Sequence, residues 1–314
     1  MRYSRFGVTT LIILISSIAG QAQTPAAAQK YFQQGVKNFA EGNLGVAFEN
    51  YSRAIEISSR LDSRKQPSSD LLQANSLTSS EAERVTVIDP FTAVAYTNRG
   101  IVRLRQHDVD GAIADFNAAI RISPRLAEAY LGRGMALRAK GDQEKAMADL
   151  DRALAIKDRL IEAYIDRADL RMEKDIEGAI KDLNQALEIN PRVAEIHYLL
   201  GYVSLSKKEL SDAIAHFDRA IELKPEMASS HQGRGTARMG LRDFDGAIED
   251  FTRALELNPE MPTSYMNRGL ALLMKHQDVL AQKDFDECLA LSPSLKAELE
   301  KRIKLAKELR STEP

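Results

Sequence analysis

Residues 96–124, YTNRGIVRLRQHDVDGAIADFNAAIRISP, come back as residues 231–259, HQGRGTARMGLRDFDGAIEDFTRALELNP, and as residues 265–293, YMNRGLALLMKHQDVLAQKDFDECLALSP. Their landmarks keep one period. Tyr96/Gly100 and Tyr130/Gly134 are 34 residues apart, and the same aromatic-then-small pair returns as His231/Gly235 and Tyr265/Gly269. A second signature runs in phase: Ala112-Phe116-Ala119-Pro124, then Ala213-Phe217-Ala220-Pro225, Ala247-Phe251-Ala254-Pro259 and Ala281-Phe285-Cys288-Pro293. Self-similarity at this period marks a stacked array of small units.

Each unit reads as two helices. Ala127 to Lys140 carries small and apolar residues at helical spacing, Gly141-Asp142 interrupts it, and Glu144 to Ile156 resumes it. Glycine and alanine at fixed slots let two helix backbones approach while the aromatic fills the space beside them. A single unit cannot bury that face; stacked neighbours do, and the ends need caps.

These residues resemble the tetratricopeptide repeat, whose aromatic, Gly, Ala, Phe, Ala and Pro recur every 34 residues. Seven copies are expected, covering about 230 residues. The first carries Tyr31, Gly35, Ala47, Tyr51 and Ala54, and the third has Leu150 for the aromatic and Asp158 for the proline. The fourth departs most: Tyr164 is followed by Ala168, and the stretch to Ala179 is one residue short around Lys174-Asp175, which predicts a local distortion. The fifth returns with His197, Gly201, Ala213 and Phe217. The resemblance implies an all-α fold, a right-handed α-solenoid of helix-turn-helix repeats with a C-terminal capping helix. It says little about a particular function, because such repeats serve unrelated assemblies.

The expected organisation is a signal peptide over 1–22, a first repeat over 28–61, six further repeats over 93–293, and a capping helix over 294–310. In that last segment Leu295, Leu299, Ile303 and Ala306 share a face. Residues 62–92 read two ways. Ser63 to Ser69 is polar with a proline, as in an inserted loop; but Ile88-Asp89-Pro90 precedes Tyr96 as Pro124 precedes Tyr130, as in an eroded repeat with a helix around Glu81 to Ile88.

At the start, Arg2 and Arg5 precede an apolar run, Phe6 to Ala19, shorter than the roughly 20 residues a bilayer span needs. Gly20 and Ala22 then form a small-x-small site, so cleavage is expected before Gln23 and the protein is expected in the periplasm or outside the cell. The alternative is an uncleaved anchor tethering the domain to the inner membrane. The sole cysteine, Cys288, excludes lipid modification near that site and an intramolecular disulfide.

The 314 residues include 44% hydrophobic and 28% charged, an ordinary globular balance. Lys plus Arg number 43 against 45 Asp plus Glu, so there is no basic field to gather nucleic acid. No Gly-rich phosphate loop, Gly-x-Ser-x-Gly or His-Glu-x-x-His occurs. The chain therefore reads as a non-enzyme with no cofactor and no small-molecule substrate.

Arg99, Arg133, Arg167, Arg234 and Arg268 each precede the glycine slot, and the same copies carry Asp115, Asp149, Asp182, Asp250 and Asp284 before the Phe/Leu slot. The copies lacking the arginine also lack the aspartate: Gln34 goes with Asn50 and Leu200 with His216. Their joint change predicts a structural ion pair across each repeat rather than an anion site. The histidines raise a metal hypothesis that geometry disfavours. His107 and His276 occupy turn slots held by glycine elsewhere, while His197 and His231 hold the aromatic slot of successive repeats. Helices packed about 8–10 Å apart cannot bring equivalent slots onto one ion at about 2 Å. Cys288 replaces a packing alanine.

In this family the first helices form the inner, concave face. Carrying those slots over gives Phe32, Val36, Ile101, Leu131, Met135, Tyr198, Tyr202, Met266 and Leu270 as lining candidates, with packing within the superhelix as their alternative role. Such a lining suits a partner peptide or helix. Phe32, Val36 and Glu128 stand where lysine or asparagine would grip a chaperone's C-terminal carboxylate, which argues against that partner. The function expected is a protein-binding scaffold; the alternative is a self-assembling component of the cell envelope.

Overall fold

The computed structural model describes residues 24–64 and 90–311. The expected signal segment, and most of 62–92 with its expected helix at Glu81 to Ile88, lie outside them. Among the described residues there is no strand. Fourteen helices follow in seven consecutive pairs: α1 (Ala26–Ala40) and α2 (Leu44–Arg64), α3 (Pro90–Arg105) and α4 (Val109–Ile122), α5 (Ala127–Lys140) and α6 (Gln143–Ile156), α7 (Ile161–Arg171) and α8 (Ile176–Ile189), α9 (Ala194–Ser206) and α10 (Leu210–Leu223), α11 (Ala228–Gly240) and α12 (Phe244–Leu257), α13 (Pro262–Met274) and α14 (Asp278–Leu291). A short 3-10 turn, Pro293–Leu295, leads into α15 (Lys296–Ser311). The fold is the all-helical, paired arrangement of a tetratricopeptide solenoid. The chain divides into two compact units, Met1–Leu170 and Arg171–Pro314.

Local chemistry starts and stops the helices. Asp108, Asp142, Asp175 and Asp243 each cap the second helix of a pair by accepting a backbone N–H three residues on. Between the helices, one residue turns left-handed: Gly42, His107, Gly141, Lys208, Arg242 and His276 have φ between 59° and 91°. Glycine adopts this freely, whereas a side chain costs about 1–2 kcal/mol. His107 and His276 are therefore turn residues in a glycine position. The fourth pair has no such residue. Its first helix has 11 residues against 13 or more in the others, and Asp175 sits at φ −144°. This is where the missing residue distorts the repeat, and the division into units falls at the end of the same helix.

The period follows from a socket for one ring. In the first unit Phe116 is fully buried, and a Cβ added at Gly100 would stand 2.9 Å from its ring. Gly132, on the first helix of the next pair, closes the other side as tightly. In the second unit Phe217 lies in the same way between Gly201 and Gly233. Each ring thus pins its own pair together and binds it to the next. One 34-residue step beyond Gly269 stands Ile303, half-buried against the last core cluster, and a branched side chain there leaves no socket. α15 closes that end of the core.

Candidate functional site

The first-helix slots divide sharply. Leu131 has no exposed surface, Phe32 and Ile101 retain 2%, and Met266, Leu270 and Met135 retain 3%, 6% and 8%. These six are corrected from groove lining to packing. Phe32 sits with its ring 5.4 Å from those of Tyr51 and Phe91, and Met266 and Leu270 belong to the cluster holding Phe285 and Leu299. Family slots locate a position on a helix, but how far neighbours cover it depends on side chains such as Phe91 that lie outside the motif. Val36, Tyr198 and Tyr202 stay partly open. The Tyr198 and Tyr202 rings meet edge to face at 4.9 Å over Phe217. Burial, with Tyr198 adding to it, pushes the Tyr202 phenol well above its ordinary value.

The arginines and aspartates build a polar seam. Arg99 Nη2 donates to Asp115 Oδ1 at 2.7 Å, with Nε to Oδ2 at 2.9 Å. The same bidentate bond joins Arg133 to Asp149, Arg268 to Asp284 and Arg234 to Asp250. All four aspartates are buried. The hydrogen bond that Arg133 gives to the Asp149 carboxylate raises the guanidinium above its ordinary value, and Arg268 is raised likewise by the bond it gives to Asp284. Burial pushes Asp250 up, and His231, Arg234 and Arg238 together hold it below the usual carboxylate value. Arg167 and Asp182 belong to different units: within its own, Arg167 donates to Asp151 at 2.7 Å, while Asp182 accepts from Arg171 at 2.8 Å.

Sequence reasoning missed two partners of this seam. Each seam arginine turns its Nη1 toward the residue after the ring slot of the preceding pair: Arg99 to Ser52, Arg133 to Asn117, Arg167 to Asp151, Arg234 to Asp218, Arg268 to Thr252. The Arg99–Ser52 bond also shows that α3 packs directly against α2. A second arginine, four residues on, doubles the clamp: Arg103 lies 3.4 Å from Asp115 and Arg238 3.0 Å from Asp250. The Arg-x-x-x-Arg spacing at 99/103, 167/171 and 234/238 was the available signal.

Histidines replace tyrosines with their bonding intact. Tyr130 Oη donates to the Pro124 carbonyl, and His231 and His197 reach the Pro225 and Pro191 carbonyls through Nε2 at 3.0 and 3.3 Å. No group of three His, Cys, Asp or Glu placed to hold a metal occurs among the described residues. Cys288 is buried, and burial raises its thiol above the usual value. No helix among the described residues is long and apolar enough to cross a membrane.

The sequence profile of the tetratricopeptide repeat matches residues 97–160, 167–228 and 233–294, more than half the chain. The chain belongs to the tetratricopeptide repeat family. Structures sharing the fold include one from the APC/C hetero-tetramer Cut9–Hcn1 (TM-score 0.63, 18% identity, 88% of this chain covered). The tetratricopeptide chain spans 58% of the length of that relative. A tetratricopeptide repeat protein from Parabacteroides merdae matches with TM-score 0.58 and 17% identity over 90% of this chain and 100% of its own. The pilF protein of Pseudomonas aeruginosa matches with TM-score 0.58 and 20% identity over 64% of this chain and 92% of its own. At these identities the likeness shows the fold alone. No curated protein matches the sequence. Tetratricopeptide folds are typically protein–protein interaction scaffolds and generally non-catalytic.

Proposed function

We propose that this chain is an exported scaffold of seven tetratricopeptide repeats that holds a peptide or helix of a partner protein against the first helices of its second unit. Its organisation is a cleaved signal over 1–22, repeats over 28–61 and 93–293, an insertion or degenerate repeat over 62–92, and a cap over 294–310; the protein is periplasmic or secreted. The partner is a protein, not nucleic acid or a small-molecule substrate, and a membrane is involved only if the N-terminal segment stays uncleaved. One observation carries the choice of surface: of the nine lining candidates, Tyr198 and Tyr202 are the aromatic pair left partly open, with half-buried Gln232, Thr236 and Met239 on the next first helix. Tyrosine is among the side chains enriched at the anchoring positions of interfaces. Changing Tyr198 and Tyr202 together to Ser in a chain whose helicity and melting are checked should weaken binding of a partner captured from the envelope fraction by tenfold or more, about 1.4 kcal/mol. A folded variant that keeps wild-type affinity removes this surface, and Met239→Ser supplies the same comparison if the tyrosine variant unfolds.

Self-assembly remains the second reading because the last helices expose apolar side chains: Val279 at 74%, Leu305 at 55% and Leu280 at 48%. Light scattering that finds a monomer at high concentration would count against it.

A further inference from the structure

The fifth pair, α9 with α10, lacks the arginine–aspartate seam. Leu200 and His216 hold those slots, and His197 holds the aromatic slot beside them. The two imidazole rings face each other with centroids 6.0 Å apart and planes tilted by 31°. His197 spends Nε2 on the Pro191 carbonyl, which leaves Nδ1 buried with no hydrogen-bond partner. A neutral imidazole tolerates that arrangement, because its bare nitrogen is an acceptor with a weak demand. A protonated one does not: Nδ1–H becomes a buried donor with nothing to accept it, on a ring carrying charge toward a second histidine.

Few surrounding groups could neutralise that charge. On α10, Asp212 lies one turn before His216 and favours its charged form, while Arg219 opposes a charge on His197. On α9, Glu195 is already bound to Lys224. On α11, Arg234 is held by Asp218 and Asp250, and His231 by the Pro225 carbonyl. On α8, Asp182 is bound to Arg171, and the residue in the register that accepts a seam arginine elsewhere is the uncharged Asn184.

We propose that the His197–His216 seam is an acid-opened latch: protonating either ring loosens α9 from α10 and frees the Tyr198–Tyr202 face packed on Phe217. Burial holds both histidines below their ordinary value, His197 adds to the effect on His216, and Asp212 only partly offsets it. The stability this seam contributes is therefore present above about pH 6.5 and is lost as pH falls through the lower folded-state values. The latch does not depend on what the tyrosines bind; only its use in regulating binding rests on the function proposed above.

The test needs no partner. Amide exchange of the full chain is compared at pH 7.5 and 5.5, corrected for the intrinsic pH effect, in peptides from 194–223 and from 93–122. The fifth pair should open severalfold more at the lower pH relative to the second, because only its open state takes up the histidine protons freely. Leu200→Arg with His216→Asp, which installs the seam of the other pairs, should abolish the difference; if that variant does not fold, His216→Gln takes its place. An equal response of the two segments, a difference that persists in the variant, or histidine proton resonances titrating at or above 6.5 in the wild type would overturn the latch.

Discussion

The second and fifth pairs share a core and differ at the seam. Phe116 and Phe217 are both fully buried and both held between two glycines from successive first helices. Across the seam, however, the second pair sets Arg99 and Arg103 on Asp115, whereas the fifth sets Leu200 and two histidines. The same helix pair forms over either seam. The apolar socket is thus the requirement of the fold, and the ion pair is an addition that can be exchanged as long as both partners change together. That agrees with buried ion pairs being costly to break by halves but replaceable as wholes.

If the socket is the common requirement, Phe116→Ala and Phe217→Ala should be the most damaging changes and about equal, each losing about 3–5 kcal/mol by denaturant unfolding followed pair by pair through amide exchange. A gap of more than about 2 kcal/mol between them would break the comparison, since the spread at like sites is of that order.

The seam should separate the two pairs. Asp115→Ala strands two guanidinium groups and is expected to cost about 3 kcal/mol, while His216→Ala strands nothing and should cost about 1 kcal/mol. The intact seams invite a cycle as well. Arg133→Ala with Asp149→Ala should lose less than the sum of the single changes, and additivity would deny the coupling seen in their bidentate bond.

Asp166 sharpens the contrast from the other side. It is a buried carboxylate with one arginine, Arg138 at 3.1 Å, which it shares with Asp169 at 2.7 Å, and its second oxygen is unpartnered. Burial raises it from 3.8 to about 6. A folded-state value above the unfolded one means its stabilising share is complete below pH 3.8 and is lost as pH rises through 6. The first unit should lose about 1.4 kcal/mol from this group between pH 5 and 7.5, opposite in sign to the fifth pair's histidines, and Asp166→Asn should flatten the loss in urea midpoints.

The smallest effect lies in the turns. Arg242→Gly should stabilise by about 0.5 kcal/mol, the relief of a left-handed side chain less the freedom glycine gains when unfolded. The same change in the fourth pair, Asp175→Gly, should instead destabilise, because that turn has no left-handed residue and Asp175 caps α8.

Sequence alone determined whatever repeats. A period of 34 with glycine, ring, alanine and aspartate in phase specifies helix pairs, their sockets and which carboxylate Arg99, Arg133, Arg234 and Arg268 each face, because these contacts lie at fixed separations along the chain. The short fourth turn was legible for the same reason: one missing residue shows against six complete copies. Tertiary structure decided what depends on how much neighbours cover. Phe91 lies outside the motif, so no spacing rule announced its ring against Phe32. Nor did the histidine spacing show that His197 and His216 face each other with one nitrogen unsatisfied. Exposure and protonation are properties of a site's whole surroundings, whereas the repeat is a property of separation along the chain. The pattern of residues therefore led to the family, and packing left Tyr198 and Tyr202 partly open where Leu131 and Ile101 are buried.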